Sequence, residues 1–436
     1  MLQHGFVPLR FGDPARLDAA LSERARGLVG SEILKIAAEI RARIAAGAEV
    51  LNLTVGDFDP RQFPVPRPLL DALVRALESG ETNYPPSDGM LALREAVAAH
   101  SLREWGVAYP VESVLIAGGA RPVLYAAYRC VLDPGDTVVY PVPSWNNNHY
   151  AWLSAAKAVA LPATHEHGFL PTLDELRPHL AGARLLVLNS PLNPSGCVIE
   201  TGDLEAIAGA VARENERRAR AGERPLFFLY DQVYGSLVFG GARHAHPAAL
   251  VPECAPWVIT VDGISKTFAS TGLRVGWTLA APAVTARMRD FLGHVGAWAP
   301  RAEQVATAAF LRDERAIGVF RAEMDERVRA RMDALHDGFE RMRAEGYPVA
   351  CVRPRGAIYL TLHLDLIGKT VDGNPVRSNE AIRTLLLDRA GFAVVPFQAF
   401  GLDGETGWFR LSIGAVSPAE IEASFPRIRA LLDAVR

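Results

Sequence analysis

Apolar residues along this chain fall into short β-branched runs separated by longer stretches with helical spacing. Over 31–46 they recur every three or four positions, which predicts an amphipathic helix capped by Ser31 and stopped by Gly47. A short strand over 50–53 then enters a turn at 54–60. From about residue 68, helical patterns alternate with apolar runs at 114–117, 137–140, 184–188, 226–230, 257–261 and 275–279. Such alternation predicts a mostly parallel sheet with helices on both faces. A long helical pattern over 320–345, with shorter strands near 359–363 and 409–413, predicts a second, smaller α+β domain. The expected division is an arm and helix over 1–55 that pack with the small domain, a large domain over 56–320, and the small domain over 321–436. Residues 1–30 read as an irregular arm. The Arg- and Glu-rich stretch 211–225 reads as solvated helix and loop.

Composition narrows the class. A chain of 436 residues with 49% apolar and 22% charged side chains is ordinary for a globular enzyme. The net charge of −3 gives no electrostatic reason to expect nucleic acid or an anionic membrane as a partner. No apolar stretch approaches membrane-spanning length, and the N-terminus lacks the apolar core of a signal peptide. The cysteines Cys130, Cys197, Cys254 and Cys351 have no paired spacing and read as reduced thiols, which points to the cytoplasm.

Lysine usage carries the chemistry. The chain has 4 lysines against 42 arginines, and Lys266 follows the run 257–261. An arginine in a protein keeps its proton; a lysine amine can lose it and attack a carbonyl. Lys266 then stands just past the carboxyl end of a buried strand, where open α/β sheets bind ligands. Four other strand ends add parts. Gly118-Gly119-Ala120-Arg121 precedes a helical pattern at Val123, either a phosphate cradle or a plain tight turn. Trp145 follows 137–140, either a stacking partner for a flat ring or a loop anchor. Asn193 sits in a turn braced by two prolines and a glycine. Asp231, at the end of 226–230, either pairs with a ring nitrogen or caps a helix. Arg274, eight residues after Lys266, suits a fork-like grip on phosphate. Together these parts describe a flat, phosphorylated aldehyde, pyridoxal 5′-phosphate, held on Lys266 as a Schiff base.

With those residues in view, the chain resembles the class I/II aminotransferases of pyridoxal-phosphate fold type I. The resemblance runs from about Ser31 to near the end. Ser265-Lys266-Thr267-Phe268-Ala269 with Thr271-Gly272-Leu273-Arg274-Val275-Gly276 is similar to the family's lysine signature. Asn193-Pro194-Ser195-Gly196 resembles its Asn-Pro-Thr-Gly turn, and Asp231-Gln232-Val233-Tyr234 its Asp-Glu-Val-Tyr segment. The resemblance implies an α/β fold with a mostly parallel seven-stranded sheet and a smaller α+β domain. It implies that Lys266 carries the cofactor, Asp231 pairs its ring nitrogen, and Tyr234 and Asn193 bond its phenolic oxygen. Trp145 stacks on the ring, and Arg274 with the backbone of Gly119, Ala120 and Arg121 holds the phosphate. Tyr84 reaches the phosphate of a second subunit, so a homodimer follows. Arg410 grips the substrate carboxylate, with Gly56 and Asn193 beside it.

Two departures stand out. Gly263 replaces a serine that the family uses on the phosphate, and Phe397 stands in a segment that is smaller in the family, where it is expected to narrow or reshape the substrate pocket. Arg121, Asn148, Arg301 and Phe397 are the candidates to line that pocket, with Arg301 favouring acidic substrates. The implied reaction is transamination between an L-amino acid and a 2-oxo acid by a ping-pong route. The same constellation also supports C–S β-elimination, decarboxylation, amino-acid oxidation or a non-catalytic sensor; Arg410 and the lack of a second specialised base favour transamination.

Overall fold

A computed structural model describes residues 11–436. Its frame is a seven-stranded sheet made of β1 (Val114–Ala117), β2 (Thr137–Val142), β3 (Lys157–Pro162), β4 (Leu185–Asn189), β5 (Phe227–Asp231), β6 (Val258–Gly263) and β7 (Gly276–Leu279). The spatial order is β1-β7-β6-β5-β4-β2-β3, and only β7 runs antiparallel to its neighbours. Both faces are buried. Leu185 and Val187 of β4 pack into one apolar layer, and Leu186 and Leu188 into the other. This double burial is why the runs read as continuously apolar.

Strand β3 escaped the sequence reading. It is an edge strand whose residues are all partly or fully exposed, it carries alanine at alternate positions, and it ends in Pro162. Edge strands need no continuous apolar signal, and proline is tolerated there. The stretch 211–225 is helix and then loop, largely exposed as expected, with one exception among its charged residues. Arg218 is buried on the inner face of the helix Thr201–Ala221. Its guanidinium pairs with Glu214 at 2.7 Å and donates to the carbonyls of Leu180 and Ala183, filling acceptors that lie beneath the sheet.

The second sheet is antiparallel. It comprises β8 (Val349–Val352), β9 (Tyr359–Leu364), β10 (Val395–Pro396) and β11 (Trp408–Ser412), in the order β10-β11-β9-β8. The helix Glu314–Ala344 begins six residues before the predicted start, with Asp313 accepting from the Ala316 N–H as its cap. Buried Met332, Leu335, Phe339 and Met342 on this helix share one core with Leu360, Leu362 and Leu411 of the small sheet. The early strand Leu51–Asn52 pairs with Phe392–Ala393, which joins the N-terminal segment to that sheet's layer. The predicted first helix spans Glu32–Ala45; Ser31 is at its cap position but makes no side-chain capping bond. The described part of the arm is not wholly irregular, since Pro14–Ala19 and Glu23–Arg26 are short helices; the rest of the predicted arm lies outside the described residues. No helix among the described residues is long and apolar enough to cross a membrane.

A Cβ on Gly338 would overlap the Phe425 ring. Gly338→Ala gains ~1 kcal/mol of helix propensity. Overpacking of a filled core costs about 1–3 kcal/mol. The variant is expected to unfold at lower urea than the parent, and an unchanged midpoint would show that this packing is soft.

Candidate active site

Strand register builds the site. Asn189 lies opposite Asp231, Asp231 opposite Val261, Gly263 opposite Gly276, and Gly276 opposite Ala117. One edge of the sheet therefore collects four strand ends, each followed by a loop with a polar group. The turn Ile264–Thr267 carries Lys266 back over that edge.

Lys266 is half-buried just past the carboxyl end of β6. Its Nζ donates to the Gly56 carbonyl at 2.5 Å. Burial lowers its pKa to about 8; Asp57 opposes this shift, and the positive charges of Arg410, Arg121 and Arg274 add to it. Asp231 ends the neighbouring strand β5, with one oxygen accepting from the Val233 N–H at 3.2 Å. Burial raises its pKa to about 7, partly countered by that bond. The Asn189 amide donates to the Asp231 carbonyl at 2.9 Å and its oxygen accepts from the Asn193 N–H at 2.9 Å, which ties the Asn193 turn to β5.

Arg410 is almost wholly buried and has no acidic partner among the described residues. Its guanidinium donates to the Thr54 carbonyl at 2.5 Å and to the Asn193 side-chain oxygen at 3.3 Å. It lies 4.7 Å from the Tyr359 ring centre and 5.0 Å from that of Phe400, and its Nε has no partner. A buried guanidinium without a carboxylate is costly unless a ligand supplies one. The Tyr234 and Tyr359 hydroxyls meet at 2.6 Å.

An anion cradle lies at the start of the helix Ala120–Val131, three residues before the predicted Val123. The helix has no side-chain cap, so its first N–H groups and its dipole are open to an anion. Arg274 crosses this end, donating to the Gly118 carbonyl at 3.0 Å and the Thr271 carbonyl at 2.6 Å. Gly119 has φ +95, and a Cβ there would overlap the Arg274 guanidinium. A Cβ on Gly263 would sit 2.8 Å from the Val275 carbonyl oxygen and 2.9 Å from the Gly276 Cα. The backbone thus leaves no room at position 263 for the serine that the family resemblance calls for. Arg121 extends from the helix start, with its guanidinium 4.5 Å from the Trp145 ring centre.

Several expected residues fall elsewhere. Tyr84 is 82% exposed, edge-to-face with Trp298 at 5.4 Å, and makes none of the contacts that tie the other site residues together. Arg301 is ion-paired with Glu81, and Asn148 is exposed. Phe397 does not face the site directly; it is fully buried against Phe169 and lies behind Phe400, which covers Arg410. Sequence reasoning missed Asp57, Tyr359, Thr54 and Phe400. Asp57 accepts from the Thr271 hydroxyl at 2.6 Å and biases the Lys266 charge. An acid directly after Gly56 and a tyrosine closing 355–359 were the available signals.

This site fits a flat phosphorylated aldehyde. The uncapped helix start and Arg274 suit its phosphate, the buried Asp231 suits a ring nitrogen cation, and Lys266 supplies an amine that loses its proton easily. Fold and site together define a pyridoxal-phosphate enzyme of fold type I. The class I and II aminotransferase family model matches residues 48–428, and the chain belongs to that family, whose members use pyridoxal 5′-phosphate. It is 32% identical over 428 residues to a bifunctional aspartate aminotransferase and glutamate/aspartate-prephenate aminotransferase of Petunia hybrida, covering 97% of this chain and 85% of that one. It is 30% identical to an aspartate aminotransferase of Streptomyces avermitilis, covering 94% and 96%. The crystal structure of the Rhizobium meliloti aspartate aminotransferase superposes with a TM-score of 0.86 at 29% identity, covering 95% of this chain and 99% of that one. The enzyme is an aminotransferase acting through pyridoxal phosphate.

Two outcomes follow for the cofactor-free protein. Acylation of Lys266, mapped by peptide against the other three lysines, should rise with a midpoint near pH 8; a midpoint near the ordinary value of about 10.5 would contradict the burial. Asp231 has a raised folded-state pKa, so it contributes stability that is complete below its unfolded value of about 4. That stability is lost as pH rises through about 7. Asp231→Asn should therefore flatten part of the stability loss between those pH values in urea titrations.

Proposed function

We propose that this aminotransferase moves the amino group of an acidic L-amino acid, aspartate first among them, to a 2-oxo acid. The unpaired, buried Arg410 carries the reading, because it calls for a ligand carboxylate. The names of the relatives support aspartate, and the exposed Arg121, with no acidic partner among the described residues, offers a second cation. When bound, pyridoxal phosphate supplies a carbonyl for amines and a ring that takes up the electron pair left when a Cα–H bond breaks.

The chain's own residues do the rest. Arg410, with Gly56 and Asn193 beside it, holds the substrate α-carboxylate and orients the Cα–H bond. The Lys266 amine, already easily deprotonated, would serve as the positioned base that takes the α-proton and as the acid that gives it back. Asp231 would pair with the ring nitrogen of the cofactor and favour its protonated form. Tyr234 and Asn193 would bond its phenolic oxygen, with Tyr359 orienting the Tyr234 hydroxyl. Trp145 would stack on its ring. Arg274 and the backbone N–H groups at Gly119, Ala120 and Arg121 would hold its phosphate. The exposed Tyr84 serves the site of a second copy, so the working form is a homodimer. The division into 1–55, 56–320 and 321–436 describes its units, and four free thiols suit a reducing cytoplasm.

Lys266→Ala is expected to lower kcat by roughly 10⁴-fold or more, measured with aspartate and 2-oxoglutarate. Arg410→Ala should lower kcat/KM about 100-fold, the ~2–3 kcal/mol of a bond to a charged group. Full turnover in the lysine variant, or ammonia release without amination of any oxo acid, would sink the reading.

A further inference from the structure

Beside Asp231 and the entry to the lysine turn lies a buried polar pair to which the steps above give no role. Gln232 is wholly buried and Asp262 is 4% exposed. They sit just past the carboxyl end of β5 and near that of β6, where the Gln232 N–H donates to the Val261 carbonyl at 2.9 Å. The Gln232 amide donates to one Asp262 oxygen at 3.3 Å, and the other Asp262 oxygen accepts from the Gly263 N–H at 2.7 Å. The Gln232 oxygen meets His244 Nε2 at 3.3 Å, and that ring is stacked on Tyr230. Asp262 pairs with no cation among the described residues; the nearby Arg321 is engaged by Glu104 at 2.7 Å and Ser236 at 3.3 Å.

We propose that Gln232 and Asp262 are a positioning pair for the transfer reaction, one amide and one carboxyl that set the spacing between Asp231 and Lys266. The placement carries the argument. Gln232 is the residue after Asp231, and Asp262 is four residues before Lys266 on the next strand. One Asp262 oxygen fixes the entry to the lysine turn and the other grips the residue beside the ring-nitrogen acid. A buried carboxyl without a cation is weak as a source of stability, and apolar replacements would cost less, so its use is geometric. The amide is also the right partner. A glutamate at 232, as in the family's Asp-Glu-Val-Tyr segment, would place two carboxyls about 3 Å apart in a dry site, where they cannot both ionise.

The inference rests on the cofactor reading of the site, not on the choice of amino donor. Its test uses the full-length enzyme with pyridoxal 5′-phosphate, reading the cofactor dissociation constant, the visible circular dichroism of the bound cofactor, and kcat apart from KM. Gln232→Glu should weaken cofactor binding and lower kcat about tenfold each, with KM little changed and the dichroism altered. The exchanged pair Gln232→Glu with Asp262→Asn restores one carboxyl and one amide, and should return all three readings to within about threefold of the parent. A harmless Gln232→Glu, or a folded exchanged protein as impaired as the single variant, overturns the proposal. Should the exchanged protein not fold, Gln232→Met decides: about tenfold weaker cofactor binding supports the pair, and binding within about twofold overturns it. Binding and dichroism need no turnover, so a failure to aminate any oxo acid leaves this test intact.

Discussion

The site is governed by positive charge held where water is scarce. Lys266 is half-buried and Arg410 buried, with Arg274 and Arg121 near them, and Asp57 and Asp231 are the facing acids. Burial is the main reason the lysine amine gives up its proton easily, and the nearby guanidiniums add to it against the pull of Asp57. The guanidiniums cannot follow, so they demand anions from outside. The cofactor phosphate and substrate carboxylate proposed above would satisfy that demand, and a substrate without a carboxylate would leave desolvated charge at Arg410.

Backbone contact makes this arrangement possible. Gly119, Gly263 and Gly276 let three segments approach until no side chain fits between them, and Arg274 passes through the space that a Cβ on Gly119 would fill. The small sheet reaches the same point from the other side. Arg410 sits opposite Val395 and Thr361, and it holds the Thr54 carbonyl two residues before Gly56. The loop around Gly56 is thus fixed to the small sheet while its carbonyl receives the Lys266 amine. Chemistry on that amine and placement of the loop are coupled through one hydrogen bond.

Much of this was legible beforehand. Lys266, Asp231, Asn193 and Arg274 stand at strand ends or within short rigid turns, where local spacing already fixes direction; Arg410 lies mid-strand and was legible only through the family resemblance. The buried strands were legible because burial on both faces removes polar residues from them. Elements with one exposed face were harder: β3 mixes alanine with larger residues, and Arg218 looks like surface until the helix turns it inward. Phe397 and Arg301 illustrate the other limit, since a side chain's target depends on a neighbour supplied by a distant segment, here Phe169 and Glu81.

Sequence by itself determined which chemistry this chain can perform, because a lysine past a strand end in a chain with 4 lysines against 42 arginines, an acid at a strand end and a glycine turn before a helix have few other uses together. Tertiary structure alone decided which carboxyls stay uncompensated, which aromatic covers Arg410, and that Gln232 meets Asp262. Those outcomes depend on distances of a few ångströms between segments tens to hundreds of residues apart. Desolvation and hydrogen bonding change steeply over that range, and local sequence spacing does not record them.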